Sequence, residues 1–476
     1  IEGSTDLTFT EDVPLRFEAY GWHVQEVDGH DREAIDAALR VAQEVTDKPS
    51  IIVCHTHIAY GAPNLHDNAK AHGAPLGEEE VRLTKEAMGW PVDETFTVPD
   101  EALARFRDAL GAGKKVQDEW LALFESYRAA YPEEGALLSD LLDGKLPEGW
   151  QEALPAFESD DGPLATRTAS GAVLNALAPV LPTLIGGSAD LAPSNNTMLN
   201  GYDAIQAETP AGRNLHFGVR EHGMGSVMNG IILHGGIRVY GGTFMVFSDY
   251  MRPPVRIAAI MGVPAIYVWT HDSVWIGEDG PTHQPVEHLM ALRAIPTLVV
   301  IRPADANETA AAWRVALERT EGPTALALSR QKLPILAETK RDAAETVGRG
   351  AYVLADSSGK PDVILIATGS EVSLALDARD LLAVEGVAVR VVSMPSMEIF
   401  DAQPQEYRDS VLPPLMTNRL AVEAGISMGW HKYVGFEGDI LALDRFGESA
   451  PYKDLVKEFG FTPEAVAERA RKLLGK

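Results

Sequence analysis

Cysteine is almost missing from the 476 residues. The one thiol, Cys54, excludes an intrachain disulfide, and a reducing compartment, the cytoplasm, is expected. Long apolar runs are missing too: none approaches the ~20 residues a helix needs to cross a bilayer, so no membrane-spanning segment is expected. Positive charge is scarce. Forty-one Lys and Arg against 69 Asp and Glu leave a formal net charge of −28. So acidic a surface disfavours nucleic acid and anionic membranes as partners. An anionic substrate would need the few cations gathered in a cleft. No signal-peptide pattern precedes the first structured segment, and the chain opens on Ile1, so it reads as processed or as part of a longer protein. No short-period repeat is visible.

What is present is ordinary globular composition, 45% hydrophobic and 23% charged. The length allows about three domains of roughly 150 residues. Near the start, a helix-like stretch from Asp31 to Glu44 leads to a short β-branched strand, Ser50 to His55, the tail of a βαβ arrangement. A polar Gly/Pro-marked loop, Tyr60 to Gly77, carries His66 and His72. Residues 100–160 have helical patterns and no strand. From Thr166 onward short apolar strands alternate with helices, as in Val263 to Thr270 followed by a helix from Val286, and Thr324 to Ser329 after a helix from Asn307 to Arg319. That alternation implies a buried, largely parallel sheet. A last α/β unit has strands Val363 to Ala367, Val387 to Ser393, Leu420 to Glu423 and Ile440 to Leu443.

Several stretches could carry chemistry. His271 to Pro285 crowds two histidines, Asp272, Glu278 and Asp279 into fifteen positions after a strand, where open α/β sheets place ligands. It reads as a ligand loop or as a polar surface loop. Glu221 opens a helix that contains Gly223, Gly225 and Gly230. Glycine weakens a helix by about 1 kcal/mol per residue, so three imply close approach of a backbone or a ligand; Glu221 itself could simply favour the positive helix end. Phe244, Phe247 and Tyr250 recur at helical spacing, as core or as a stacking surface for a planar ligand. Gly186-Gly-Ser-Ala-Asp190 could meet phosphate or be a tight turn, and Arg167 and Arg330 could form phosphate forks or lie on the surface.

Taken in order, these stretches resemble transketolase, a thiamine diphosphate enzyme, over essentially the whole chain. The carriers are His72-Gly-Ala-Pro-Leu-Gly77, Gly187-Ser-Ala-Asp190-Leu-Ala-Pro-Ser194-Asn195, Gly218-Val-Arg-Glu221-His-Gly-Met224, and His271-Asp-Ser with Gly277-Glu-Asp-Gly-Pro-Thr-His283-Gln-Pro285. Thr368-Gly-Ser-Glu-Val372 and Phe446-Gly-Glu-Ser-Ala450 mark the C-terminal part. The resemblance departs at Trp275, where the family has glycine, and at Asn68-Ala-Lys70, where it has Gly-Thr-His-Asp.

The resemblance implies an α/β fold in three domains with mostly parallel sheets flanked by helices, the first domain only partial. Residues 1–130 would be the C-terminal remainder of the diphosphate domain, 131–162 a helical linker, 163–335 the pyrimidine-binding domain and 336–476 the C-terminal α/β domain. Most of the diphosphate domain is expected to be absent, because Ile1-Glu-Gly3 resembles the segment just after the family's last metal ligand. The implied cofactors are thiamine diphosphate and Mg2+ (or Ca2+), with no metal ligand in this chain. The implied reaction is reversible transfer of a two-carbon ketol unit from a ketose phosphate of the xylulose 5-phosphate type to an aldose phosphate such as ribose 5-phosphate or erythrose 4-phosphate, through the thiamine ylid.

By the same matching, Glu221, His283 and His72 would be catalytic. Glu221, Phe247, Phe244, Tyr250, Asp190 and His72 would bind cofactor. Arg167, Ser194, His271, Asp279, His283 and Arg330 would bind sugar phosphate. A homodimer with active sites at the subunit interface is implied, with neither nucleic acid nor membrane as partner. The alternatives are a catalytically silent, dimerising fragment and a related ketol transferase such as dihydroxyacetone synthase.

Overall fold

Five consecutive residues, Ile266–Thr270 (β6), are all buried, and they show why the middle of the chain folds as it does. Ile266 and Val268 point to one core, Tyr267 and Trp269 to another, as the two-residue period of a strand requires. A strand apolar on both faces must be covered on both. The computed structural model, which describes residues 2–475, places β6 inside a six-stranded sheet. The other members are Leu184–Ser188 (β3), Asn214–His216 (β4), Arg238–Phe244 (β5), Val299–Ile301 (β7) and Thr324–Leu328 (β8), in the order β4-β3-β5-β6-β8-β7. Every pairing is parallel. Helices Thr166–Leu177 and Ala306–Glu318 supply the core on one face, where Trp313 meets Tyr240 edge-on. Helices Glu221–His234 and Ser248–Met261 supply the other, with Met224, Met228, Met251 and Val255 fully buried.

A second sheet in the same compact unit runs β13-β12-β10-β11-β9, made of Tyr352–Ala355 (β9), Val363–Ala367 (β10), Val389–Ser393 (β11), Arg419–Val422 (β12) and Asp439–Leu441 (β13). Only β9 is antiparallel, on the edge, with a register shift at Val391/Val392. It and β4 have no counterpart among the expected strands.

Residues up to Leu123 form a separate compact unit. Its sheet is one parallel pair, His23–Asp28 (β1) and Ser50–His55 (β2), joined by helix Arg32–Glu44 and in register from His23–Ser50 to Asp28–His55. That helix is N-capped by Asp31, whose carboxylate accepts from the Glu33 and Ala34 amides.

Candidate active site

The carboxyl ends of β3, β5 and β6 lie side by side, and each runs directly into a segment singled out in the sequence. β3 leads to Asp190, β5 ends at Phe244, and β6 is followed by His271. Parallel packing is very close here. A Cβ at Gly187 would lie 1.8 Å from the Leu215 carbonyl oxygen, and one at Gly186 would lie 2.4 Å from that of Tyr240. These glycines therefore sit in the strand and admit its neighbours; they do not form a phosphate turn. Asp190, just beyond, is exposed and takes the left-handed conformation (φ 59°).

Glu221 is the first residue of its helix and is 8% exposed. Its carboxylate accepts from Thr243 Oγ1 at 3.1 Å. Thr243, one residue before the end of β5, is itself fully buried. With that one side-chain partner among the described residues, the carboxylate keeps free acceptor capacity. Of the helix glycines, Gly225 is explained by packing, since a Cβ there would lie 2.8 Å from Pro254 Cγ, whereas Gly230 faces open space.

The aromatic trio does not lie on one helix. Phe244 ends β5, Phe247 ends a 3-10 turn, Met245–Phe247, and Tyr250 stands in the following helix. Phe244 and Phe247 are half-buried and nearly parallel, with centroids 5.7 Å apart. Phe247 meets Tyr250 at 6.0 Å, and Tyr250 is exposed. Two histidines close on the pair: His271 lies 3.8 Å from the Phe244 ring, and His283 meets Phe247 edge-on at 5.5 Å. The exposed side of this pair offers a face for stacking a flat ring beside a buried carboxylate.

His271 is 3% exposed and left-handed (φ 63°). Burial, with Arg167 and then Arg330 and His283 adding positive potential, pushes its pKa down to about 3. The ring is therefore neutral, and its tautomer follows from its neighbours. Asn195 Nδ2 donates to Ser188 Oγ, so its Oδ1 accepts the Thr270 hydroxyl proton at 2.8 Å. Thr270 Oγ1 can then only accept from His271 Nδ1, at 2.7 Å. Nε2 is left with a lone pair.

Arg167 donates to the Ser194 carbonyl at 2.6 Å and keeps a buried Nε without a partner. Its pKa is lowered by burial and by a neighbouring cation, Arg330. Arg330, exposed, donates to the Ile276 carbonyl at 3.2 Å. Two guanidiniums kept beside each other suit an anion, whereas the His271 Nε2 lone pair suits a hydroxyl donor.

The loop from His271 to Pro285 is not a surface loop in its first half. Residues 271–277 are all buried, and only Glu278, Asp279, Pro281 and Thr282 are exposed. Asp272 accepts from Arg302 Nε at 2.8 Å, and Arg302 also pairs with Glu371. Burial raises the pKa of Asp272. Trp275 packs edge-on against Phe461 at 5.1 Å and donates its indole N–H to Glu371 at 2.9 Å. The tryptophan thus ties the loop to the β9–β13 layer. Gln284 holds the far side, donating to the Gly277 and Glu448 carbonyls.

Among the sequence-selected residues, Glu221, Phe244, Phe247, His271, His283, Arg167 and Arg330 are linked by these contacts. Ser194 joins them through its carbonyl. Tyr250 touches the group through Phe247, and Asp279 is exposed on the His271 loop without a contact to it among the described residues. His72 lies in the first unit, exposed, at the end of a 3-10 turn, Ala69–Ala71. The Arg302–Asp272–Glu371 cluster and Thr243 were not legible, because their partners are distant in sequence.

A buried carboxylate, near-parallel aromatics and two neighbouring arginines at the carboxyl edge of a parallel sheet are the marks of an α/β enzyme. Comparison with known proteins makes the class specific. Residues 162–335 match the family "Transketolase, pyrimidine binding domain", 1–147 match "Transketolase, thiamine diphosphate binding domain", and 350–462 match "Transketolase-like TK C-terminal domain". Transketolase of Geobacillus stearothermophilus is 53% identical over 479 residues, covering all of this chain and 72% of the relative. Transketolase of Mycobacterium tuberculosis H37Rv is 53% identical over 491 residues, covering 100% and 70%. Among solved structures, transketolase of Pichia stipitis, crystallised with xylulose 5-phosphate and with sedoheptulose 7-phosphate, is 43% identical with a TM-score of 0.93, covering 100% of this chain and 70% of that one. The chain belongs to the transketolase family. It is a thiamine diphosphate-dependent transferase of two-carbon ketol units between sugar phosphates.

One expectation is corrected. The diphosphate-binding domain is not mostly absent, nor the first domain a mere remainder: the thiamine diphosphate-binding family matches residues 1–147, so all three domains of the architecture are represented. The expectation rested on the likeness of Ile1-Glu-Gly3 to the segment just after the family's last metal ligand, a three-residue signal that the match over residues 1–147 outweighs.

Proposed function

We propose that the pocket around Glu221 holds the aminopyrimidine ring of thiamine diphosphate, with a ketose phosphate of the xylulose 5-phosphate type as donor and ribose 5-phosphate or erythrose 4-phosphate as acceptor. The observation that carries this is the buried Glu221 carboxylate, held among the described residues by the Thr243 hydroxyl and set beside the near-parallel Phe244 and Phe247 rings. The chemistry the bound cofactor supplies is a stabilised carbanion. Glu221 holds a ring nitrogen through a charge-assisted hydrogen bond in a site that excludes water. Phe247 stacks on the ring, with Phe244 and Tyr250 lining its edge and Asp190 close by. Arg167, Arg330 and Ser194 hold the substrate phosphate, which brings scarce cations together in an acidic protein. His271 and Asp279 bind sugar hydroxyls. His283 moves protons at the substrate oxygens, and His72 keeps the proton-handling role that its His-Gly-Ala-Pro-Leu-Gly run implies. Residues 163–335 serve as the ring-binding domain and 336–476 support the His271 loop, with 131–162 as a linker.

The working enzyme is a homodimer with its active sites at the subunit interface. Supporting this, helices Glu221–His234 and Ser248–Met261 leave Val227, Leu233, Ile257, Ile260 and Met261 exposed, an apolar face beside the pocket. The exposed free thiol of Cys54 suits the cytoplasm. The ring site is tested by calorimetric titration of thiamine diphosphate in the presence of Mg2+. Phe247→Ala should weaken binding at least ~10-fold while the fold is kept, because a stacked aromatic contributes roughly 1 kcal/mol beyond its buried area. Unchanged affinity would move the ring elsewhere.

A further inference from the structure

The first unit carries a cluster to which the proposed ketol-transfer site assigns no role. His57, His66 and Asp67 each present one ligand atom, and these atoms lie within 4.8 Å of one another. Asp67 is central. Its carboxylate lies 3.0 Å from His57 Nδ1 and 3.4 Å from His66 Nε2. A tetrahedral ion with ligands at about 2.0–2.1 Å sets its ligand atoms roughly 3.3–3.4 Å apart, and the two spacings from Asp67 are close to that, with all three atoms inside 4.8 Å.

The rings are held in place by more than this carboxylate. His57 stacks on His66 (5.0 Å, 26°) and on His30 (5.7 Å, 21°), and His30 lies flat on Tyr60 (3.8 Å, 11°). The His57 backbone N–H donates to His30 Nε2 at 3.0 Å, and the His57 ring turns Nδ1 toward Asp67. Asp67 is left-handed (φ 54°), fixed by its N–H to the Ile58 carbonyl. His30 and His57 follow the carboxyl ends of β1 and β2, the edge at which parallel sheets place ligands.

We propose that His57 Nδ1, His66 Nε2 and an Asp67 oxygen form a binding site for a divalent transition metal of the zinc class, with the remaining position open to water. Two imidazoles and one carboxylate favour Zn2+, Co2+ or Ni2+ over Mg2+ and Ca2+, which take oxygen ligands. The competing account is a metal-free hydrogen-bond cluster, in which Asp67 accepts from both rings.

Untagged protein, stripped with chelator and kept in excess Mg2+, is titrated with Co2+ and followed by visible absorption, then challenged with Zn2+. The expected result is one Co2+ per chain, displaced by Zn2+, with His57→Ala and Asp67→Asn each weakening binding at least ~10-fold. Circular dichroism verifies the fold of each variant, and the substitution of the exposed His66, His66→Gln, stands in where one fails to fold. Absence of a one-to-one complex, or variants that bind like the parent, would overturn the site and leave the hydrogen-bond cluster.

Discussion

At the scale of single residues, His271 is held neutral by burial and by two arginines, and this has a consequence for stability. Its folded pKa of about 3 lies below the ordinary value of 6.5. Between those values the unfolded chain binds a proton that the folded chain does not. The contribution is therefore present above pH 6.5 and is lost as pH falls toward 3, with a slope of up to about 1.4 kcal/mol per pH unit. His271→Asn should flatten the acid limb of a melting-temperature profile by up to one proton; an unchanged limb would mean that His271 titrates freely. Arg167 gives a kinetic prediction. Arg167→Leu should raise KM for phosphorylated sugars about 10- to 100-fold, the value of a charged hydrogen bond, and leave kcat and an unphosphorylated ketose donor little affected.

At the scale of elements, the site depends on how closely β3 is packed and on how the His271 loop is anchored. Gly187→Ala would drive a methyl into the Leu215 carbonyl, and a loss of roughly 3 kcal/mol, read as a lower melting temperature, is expected. Trp275→Phe keeps the packing against Phe461 but withdraws a donor from the buried Glu371, at a cost of about 1–3 kcal/mol. The elements that were legible in the sequence share a cause. Strands such as Val363–Ala367 and the Glu221–His234 helix announce themselves through local period and composition, and both appear at the expected bounds. The short β4 and the edge strand β9 do not, because three or four residues set no period. The Glu221 run and the histidines of the His271 loop could be singled out from the sequence, since each is a dense polar stretch after a strand. The Arg302–Asp272–Glu371 cluster could not, since its members are up to 99 positions apart (371 − 272) and meet only through the fold. The aromatic stripe was misleading for a related reason: helical spacing from Phe244 to Tyr250 crosses a strand end, a turn and a helix start.

At the scale of the molecule, an acidic chain concentrates cations where a phosphate would sit and buries one carboxylate where a ring would sit. The apolar helix face beside that pocket predicts association. Ile260→Glu should shift sedimentation toward a smaller species; a parent that sediments as a monomer would remove the dimer from the proposal. The central claim, that Glu221 makes this chain's pocket a ketol-transfer site, is most directly tested by following sedoheptulose 7-phosphate formed from xylulose 5-phosphate and ribose 5-phosphate, with thiamine diphosphate and Mg2+ supplied. Cofactor-dependent turnover in the parent and a loss of at least about 100-fold in a folded Glu221→Gln variant are expected. Full turnover in that variant, or a parent that binds cofactor and transfers nothing, would contradict it.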